Sequence, residues 1–377
     1  MKKNTKTVIQ FMGMTSDKYG SIEKFNEEVA KQLNNKGFKT FFVYNEIPTS
    51  NEYVANLQAF NAEIIILSIN WSFLKKFIAV FKILLKYRPK IVHCHFSYPL
   101  IRIIIFLSWL LRVPKRFITI HSMMGDASFL GKCWFKALNI LSTKIFTVSD
   151  AARNKLMKSY HILKKIETLR LGIDLKKFDV NLNTDKLKQK YNLPDNKKII
   201  GCVAFHQPIK GVDVLLRAMA VLKYDFGQND VILCQVGGFQ GDNYTEKLYS
   251  LAKELNIENE IVWLGRQDNV AEILTIFDVY CQPSRSEGLG LSIVEALVAK
   301  LPVVATNVGG IPEIIEDNIT GLLVESENYQ SMADKLNLLL NEPEFANNMG
   351  INGAQKVQNE YNSTIQVEKL INEYFGL

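Results

Sequence analysis

The chain is poor in cysteine, with only Cys94, Cys133, Cys202, Cys234 and Cys281 in 377 residues. An odd number at scattered positions excludes a disulfide framework and the paired spacing of a zinc site. A reducing, cytoplasmic compartment is expected. Long apolar runs are also missing. The most apolar stretch, Ile103 to Leu111, falls well short of the roughly 20 residues a membrane-spanning helix needs, so peripheral attachment is the most it allows. No secretory leader is expected, because MKKNTKTVIQF passes from a basic start directly into a strand-like pattern. Zinc-finger spacing, an aromatic RNA-binding strand and a helix-turn-helix pattern are absent too, which argues against nucleic acid as partner. Acid is scarce in one half only. Residues 1–170 carry 27 Lys and Arg against 10 Asp and Glu, while the remainder carries 18 against 28, so the net +7 hides a basic half and an acidic half. The basic half is expected to face something anionic, such as lipid head groups or a lipid-linked pyrophosphate.

What is present describes a folded α/β protein. The length suits two domains, and 47% hydrophobic with 22% charged residues provides real cores. Apolar strand-like runs alternate with amphipathic stretches, the pattern of a parallel sheet covered on both faces. TVIQFM, KTFFVY, EIIILS, IVHCHF, RFITIH and IFTVS are the strand candidates of the first half, with helices at Ser21–Asn35 and Lys144–Tyr160. The rhythm restarts with KIIGCVAF, VILCQVGG, IVWLG, VYCQPS and PVVATN. The turn-rich LRLGIDLKKFDVNLNT between them reads as a hinge. The expected division is 1–172 plus a returning C-terminal helix at 361–377, and 173–360. Two Rossmann-like doubly wound domains are expected to face each other across a cleft, with ligand loops at the carboxyl ends of the strands.

The most informative segment runs from Ser284 to Glu313, SRSEGLGLSIVEALVAKLPVVATNVGGIPE. It sets Glu287 and Glu295 around a glycine turn, Gly288-Leu289-Gly290, ahead of a helix predicted over Leu291–Lys300. Glycine lets backbone N–H groups approach an anion closely, and the helix amino end adds favourable dipole. With Glu287 in the loop and Glu295 inside the helix, the two acids are roughly 10 Å apart at 1.5 Å rise per residue. That spacing fits the two hydroxyl-bearing ends of a nucleotide sugar.

This segment closely resembles the signature of the retaining glycosyltransferases of family 4, EGFGLxxxEAMAxGxPVVATxxGGxPE, matching at Glu287, Gly288, Gly290, Leu291, Glu295, Pro302 to Thr306, Gly309, Gly310, Pro312 and Glu313. The resemblance implies a GT-B fold and sugar transfer from a nucleoside diphosphate donor with retention. It also implies that Glu287 orients the sugar, Glu295 holds the ribose, and backbone groups over Gly288 to Leu291 hold sugar or phosphate. Lys210 in HQPIKGVDVLL matches the family's phosphate-binding Lys-Gly pair. No Asp-x-Asp tripeptide occurs, so no metal and no cofactor are expected, and cations and helix ends are left to neutralise the diphosphate. The usual Arg five positions before that lysine is replaced by Phe205. Arg285 or His206 is the expected substitute.

In the first half, YGSIEKF is similar to the family's glycine loop, placing Gly20 and Ser21 on the acceptor side. The resemblance assigns His121 to the transferring sugar and His95 to the acceptor pocket. Gly237 and Arg266 occupy positions where relatives read the nucleotide. His93 and His95 share a strand face but lack a third ligand, so a metal site is rejected. LGID at Gly172–Asp174 is expected to be a structural turn. From Phe73 to Lys90, Leu74, Phe77, Ile78, Phe81, Leu84 and Leu85 define one helical face and Lys75, Lys82 and Lys86 the opposite one. This is either a helix packed on its sheet or one lying on an anionic membrane surface, and both readings are compatible. The expected partners are therefore a nucleotide-sugar donor, an anionic or lipid-linked glycan acceptor, and the inner face of a membrane. A nucleotide-sugar epimerase or phosphorylase of similar fold, and a non-catalytic binding subunit, are the competing readings.

Overall fold

The computed structural model describes residues 6–16, 19–68, 70–95, 98–124, 128–161, 165–178, 182–238 and 243–376. Parts of three predicted segments lie outside them: Phe96 of IVHCHF, residues 179–181 of the hinge, and residues 239–242 after Gly238. The chain divides into two units, Met1–Asp174 with Ser363–Leu377, and Leu175–Asn362.

The first unit holds a parallel sheet of β1 (Lys6–Phe11), β2 (Phe38–Tyr44), β3 (Ala62–Ile66), β4 (Ile91–Cys94), β5 (Lys115–Ile120), β6 (Lys144–Thr147) and β7 (Ile166–Thr168), in the order β3-β2-β1-β4-β5-β6-β7. Its helices are α1 (Ser21–Asn35), α2 (Asn51–Ala59), α3 (Phe73–Tyr87), α4 (Tyr98–Leu110), α5 (Phe129–Leu141) and α6 (Asp150–Tyr160). The second unit repeats the plan with β8 (Lys198–Val203), β9 (Val231–Val236), β10 (Ile261–Gly265), β11 (Val279–Gln282), β12 (Val303–Thr306) and β13 (Leu322–Val324), in the order β10-β9-β8-β11-β12-β13. There the helices are α7 (Thr184–Lys190), α8 (Val212–Tyr224), α9 (Tyr244–Glu254), α10 (Val270–Leu274), α11 (Leu291–Val298), α12 (Ile311–Ile314), α13 (Tyr329–Asn341) and α14 (Pro343–Glu360). The last helix, α15 (Ser363–Phe375), returns to the first unit, where Val367, Leu370, Ile371 and Tyr374 are buried.

Each sheet is doubly wound because parallel strands need crossovers, and right-handed crossovers put helices on both faces. In the first unit one core joins α3, α4, α5 and α6 to the sheet, and a second lies under α1 and α2. Two expectations needed correction. Lys144–Tyr160 is not one helix: β6 occupies its start and Ser149, whose side chain accepts from the Ala152 amide, caps α6. The predicted apolar face of α3 is also rotated. Val80 and Leu84 are fully buried and Phe77, Phe81 and Ile83 pack against the core, while Leu74, Ile78 and Leu85 are 65%, 43% and 46% exposed. The apolar arc of this helix is wider than the sheet covers.

Candidate active site

In a doubly wound sheet, ligands bind outside the carboxyl ends of the strands where the strand order reverses. In the second unit that point lies between β8 and β11. The segment after β8 turns through Pro208–Lys210 into α8, and the segment after β11 carries Ser284 to Gly290 into α11. They meet there: Lys210 Nζ donates to Glu287 Oε2 at 2.7 Å, and Ser284 Oγ donates to the same oxygen at 3.2 Å. The Glu287 side chain is 14% exposed, so this carboxylate is held at the surface of the unit with one oxygen already oriented.

The loop under Glu287 is fixed by a buried polar chain. Tyr280 Oη and Ser292 Oγ donate to Gln282 Oε1, Gln282 Nε2 donates to Ser284 Oγ, and Thr306 Oγ1 donates to the Ser284 carbonyl at 2.5 Å. Gly309 closes the other side. A side chain there would begin 1.9 Å from the Glu287 carbonyl oxygen, on a backbone at φ +56°, so only glycine fits. Gly310 N–H donates to that carbonyl. Of the two turn glycines, Gly290 takes the left-handed conformation, at φ +98°, and opens α11. Leu289 is buried, and Gly288 and Leu291 are partly exposed. Glu295 is half-buried within α11, which is gripped from behind by α14: a side chain at Gly353 would start 2.5 Å from Leu297 Cδ2.

The two expected substitutes for the missing arginine are otherwise engaged. The Arg285 guanidinium forms a two-pronged pair with Asp213 at 2.8 and 2.7 Å, donates to the Pro208 carbonyl and pairs with Glu327. Burial raises the Asp213 carboxyl, but Arg285 and the Tyr244 hydroxyl outweigh it and hold the group below its ordinary value. Arg285 thus ties the Ser284 loop to the Lys210 turn and α8, and its charge is matched by carboxylates. His206 is buried, its Nε2 on Gln235 Oε1 at 2.8 Å and its Nδ1 on Thr245 Oγ1 at 2.9 Å. Both ring nitrogens are used inside the fold. Gly237 and Arg266 come together at the carboxyl ends of β9 and β10, where Gly237 N–H donates to the Gly265 carbonyl. Arg266 is exposed.

The first unit has its own reversal point, between β1 and β4, and a different chemistry. Gln10 Nε2 donates to Tyr374 Oη at 2.9 Å, so Gln10 Oε1 is left to accept, and His95 Nε2 lies 2.8 Å from it. His95 must therefore carry its proton on Nε2 and accept on Nδ1. His121 Nε2, 3.1 Å from that nitrogen, is the donor. Tyr374, having accepted from Gln10, has its own proton for His93 Nδ1 at 2.5 Å, and His93 Nε2 reaches Thr119 Oγ1 at 2.7 Å. The directions agree around the whole network, and each ring is a defined neutral tautomer. Burial pushes His95 down to about 3, and burial followed by the neighbouring rings holds His93 and His121 well below the usual histidine range. Among the described residues no group of three or more metal-ligating side chains forms. Gly20 and Ser21 open α1 at the same end of the sheet, but the Gly20 N–H already donates to buried Glu23.

Gln10, Tyr374, Ser284, Gln282 and Asp213 escaped the sequence reading. Gln10, Tyr374 and Asp213 act through partners distant in the chain, which leaves no local pattern, while Ser284 and Gln282 bond to near neighbours in a polar spacing that marks no function by itself.

Residues 183–356 match the family model described as glycosyl transferases group 1, and residues 22–177 match the one described as glycosyltransferase family 4. Both units of the chain match glycosyltransferase family models, each over less than half of its length. The chain is similar to the N-acetyl-alpha-D-glucosaminyl L-malate synthase of Bacillus anthracis, 31% identical over 231 residues, 60% of this chain and 58% of that one. It is also similar to the capsular polysaccharide biosynthesis glycosyltransferase CapM of Staphylococcus aureus, 26% identical over 275 residues, 69% of this chain and 68% of that one. The chain spans about half the length of the first curated relatives it matches. Anabaena HepE, crystallised with UDP and glucose, superposes with a TM-score of 0.85 over 99% of this chain and 100% of that one at 16% identity. The two-unit α/β architecture of this chain is the GT-B fold.

Proposed function

We propose that the protein is a retaining, metal-independent glycosyltransferase that moves a sugar from a nucleoside diphosphate donor to a hydroxyl of an anionic or lipid-linked glycan, in surface polysaccharide or lipid-linked glycan assembly. The observation that carries the reading is the Lys210–Glu287 pair at the strand reversal of the second unit, 2.7 Å apart. Transfer builds positive charge at the anomeric carbon and negative charge on the departing phosphate. An ammonium and a carboxylate held side by side answer both. The donor diphosphate takes Lys210, and the sugar hydroxyls and developing positive charge take Glu287.

In this reading Glu295 holds the ribose, amides from Gly288 to Leu291 hold sugar or phosphate, and Gly237 and Arg266 border the base. Arg285 serves the donor indirectly, by bracing the loop that presents Glu287. His121, neutral and fixed by His95, contacts the transferring sugar, with Gly20, Ser21 and His95 on the acceptor side. Attack occurs on the face from which the phosphate leaves, and the leaving phosphate oxygen takes the acceptor proton, so the configuration is kept without a protein base. Histidines held neutral suit hydrogen bonding to uncharged hydroxyls. The matches to CapM and to HepE with UDP and glucose support a glycan product and a nucleotide donor.

The test is a panel of UDP-, GDP- and ADP-sugars read first by thermal shift, since a ligand binding the folded state raises its melting point, and then by donor hydrolysis and anomeric analysis of product. One donor is expected to stabilise the protein and turn over without added metal. Stabilisation with no turnover under any acceptor, or a rearranged sugar formed from donor alone, sinks the transferase reading.

A further inference from the structure

We propose that the outer side of the α3–α4–α5 layer docks on a bilayer rich in anionic phospholipid. Twelve of the 22 exposed large hydrophobic side chains among the described residues come from this layer and the turn before it. Phe73, Leu74, Phe129 and Leu130 are 69%, 65%, 79% and 71% exposed, and Trp109 and Trp134 are 47% and 51%. The three helices are neighbours, α4 packing on both α3 and α5. Their inner sides are spent on the core, through Val80 and Leu84 of α3, Ile104 and Leu107 of α4 and Phe135 of α5. What remains outside is apolar on a scale that isolated surface hydrophobics do not explain.

The charge identifies the partner. From Ile64 to Ser149 the chain has thirteen Lys and Arg and one acid, Asp126. None of α3, α4 and α5 contains Asp or Glu. Lys75, Lys82 and Lys86 are exposed on α3, and Arg102 lies over the Trp134 ring at 5.2 Å, joining a cation to an aromatic across α4 and α5. A second copy of the chain would set these cations against one another. An anionic lipid surface accepts both halves of the pattern, head groups against lysine and arginine, acyl chains against tryptophan, phenylalanine and leucine. No helix among the described residues is long and apolar enough to cross a membrane, so the contact is one of lying on the surface. The first turns of α3 and α5 belong to the same sheet end as His95 and His121, which brings the bilayer surface to the side where an acceptor enters. This rests on and deepens the lipid-linked acceptor proposed above, and its test is independent of donor chemistry.

The full chain is mixed with phosphatidylcholine vesicles with and without phosphatidylglycerol and sedimented. A polarity-sensitive dye on Cys133, the one exposed cysteine among five and a neighbour of Trp134, reports insertion. Binding to the anionic vesicles is expected to exceed binding to the neutral ones at least tenfold, to weaken with salt, and to shift the dye to the blue. Lys75→Gln/Lys82→Gln/Lys86→Gln and, separately, Phe129→Ser/Leu130→Ser are expected to cut binding at least tenfold, with melting point and donor hydrolysis unchanged. Equal binding to both vesicles, no binding by the folded protein, or a dimer in sedimentation velocity that the Phe129→Ser/Leu130→Ser variant dissolves, each overturns the proposal.

Discussion

The two units share one winding rule and place opposite chemistry at the point where it reverses. The second unit sets an ammonium against a carboxylate there, Lys210 on Glu287. The first unit sets three neutral imidazoles, an amide and a phenol there, every proton assigned by its neighbour. Topology chose the location in both cases, and in the function proposed above side-chain chemistry divides the tasks. A diphosphate needs charge, whereas hydroxyls need oriented, uncharged hydrogen-bonding groups.

The comparison breaks most visibly in the charged half. Glu287→Gln keeps the shape and removes the charge, and donor turnover is expected to fall on the order of 100-fold or more, in line with loss of one preorganised electrostatic contact, while the melting point barely moves. Steady-state donor hydrolysis checks this. In the neutral half, Tyr374→Phe strands Gln10 Nε2 and His93 Nδ1 in a buried site and is expected to cost about 2 kcal/mol, measured by urea unfolding. The same variant leaves the donor-induced thermal shift intact if the halves work separately.

Acidification sharpens the contrast. His95 is held at about 3 in the fold against an ordinary 6.5, so between those values the unfolded chain binds a proton that the folded chain refuses. Stability is then complete above about pH 6.5 and falls as pH drops, by up to roughly 1.4 kcal/mol per pH unit for each such histidine. Unfolding curves at about pH 7.5 and 5.5 test the slope, which His95→Gln should flatten. The smallest effect is expected at the brace: Arg285→Ala, in a partly exposed ion pair, should cost about 1 kcal/mol and raise the donor KM several-fold with kcat nearly kept.

Much of this was legible beforehand. Every predicted strand is present, because buried parallel strands write continuous apolar runs. The two strands missed, β7 and β13, are three residues long and lie at sheet edges, too short to carry a period. The turn at Gly290 and the loop position of Lys210 were readable because a glycine turn and a loop lysine are local features. Arg285 and His206 were misjudged because direction, unlike identity, is set by partners far along the chain: Asp213 and Glu327 for one, Gln235 and Thr245 for the other. The outer side of α3 was misread because a helix that is apolar around most of its girth does not say which part meets the sheet.

The return of α15 has a consequence for how the protein is made. Tyr374 joins Gln10 and His93, and α15 packs on α1, so the first unit lacks a wall until the last helix has been synthesised. Leu175–Asn362 is continuous and is complete earlier. On the ribosome the order of maturation therefore inverts the order of translation: the portion that emerges first is finished last, and a nascent chain halted before residue 363 carries a whole second unit and an unsealed first one.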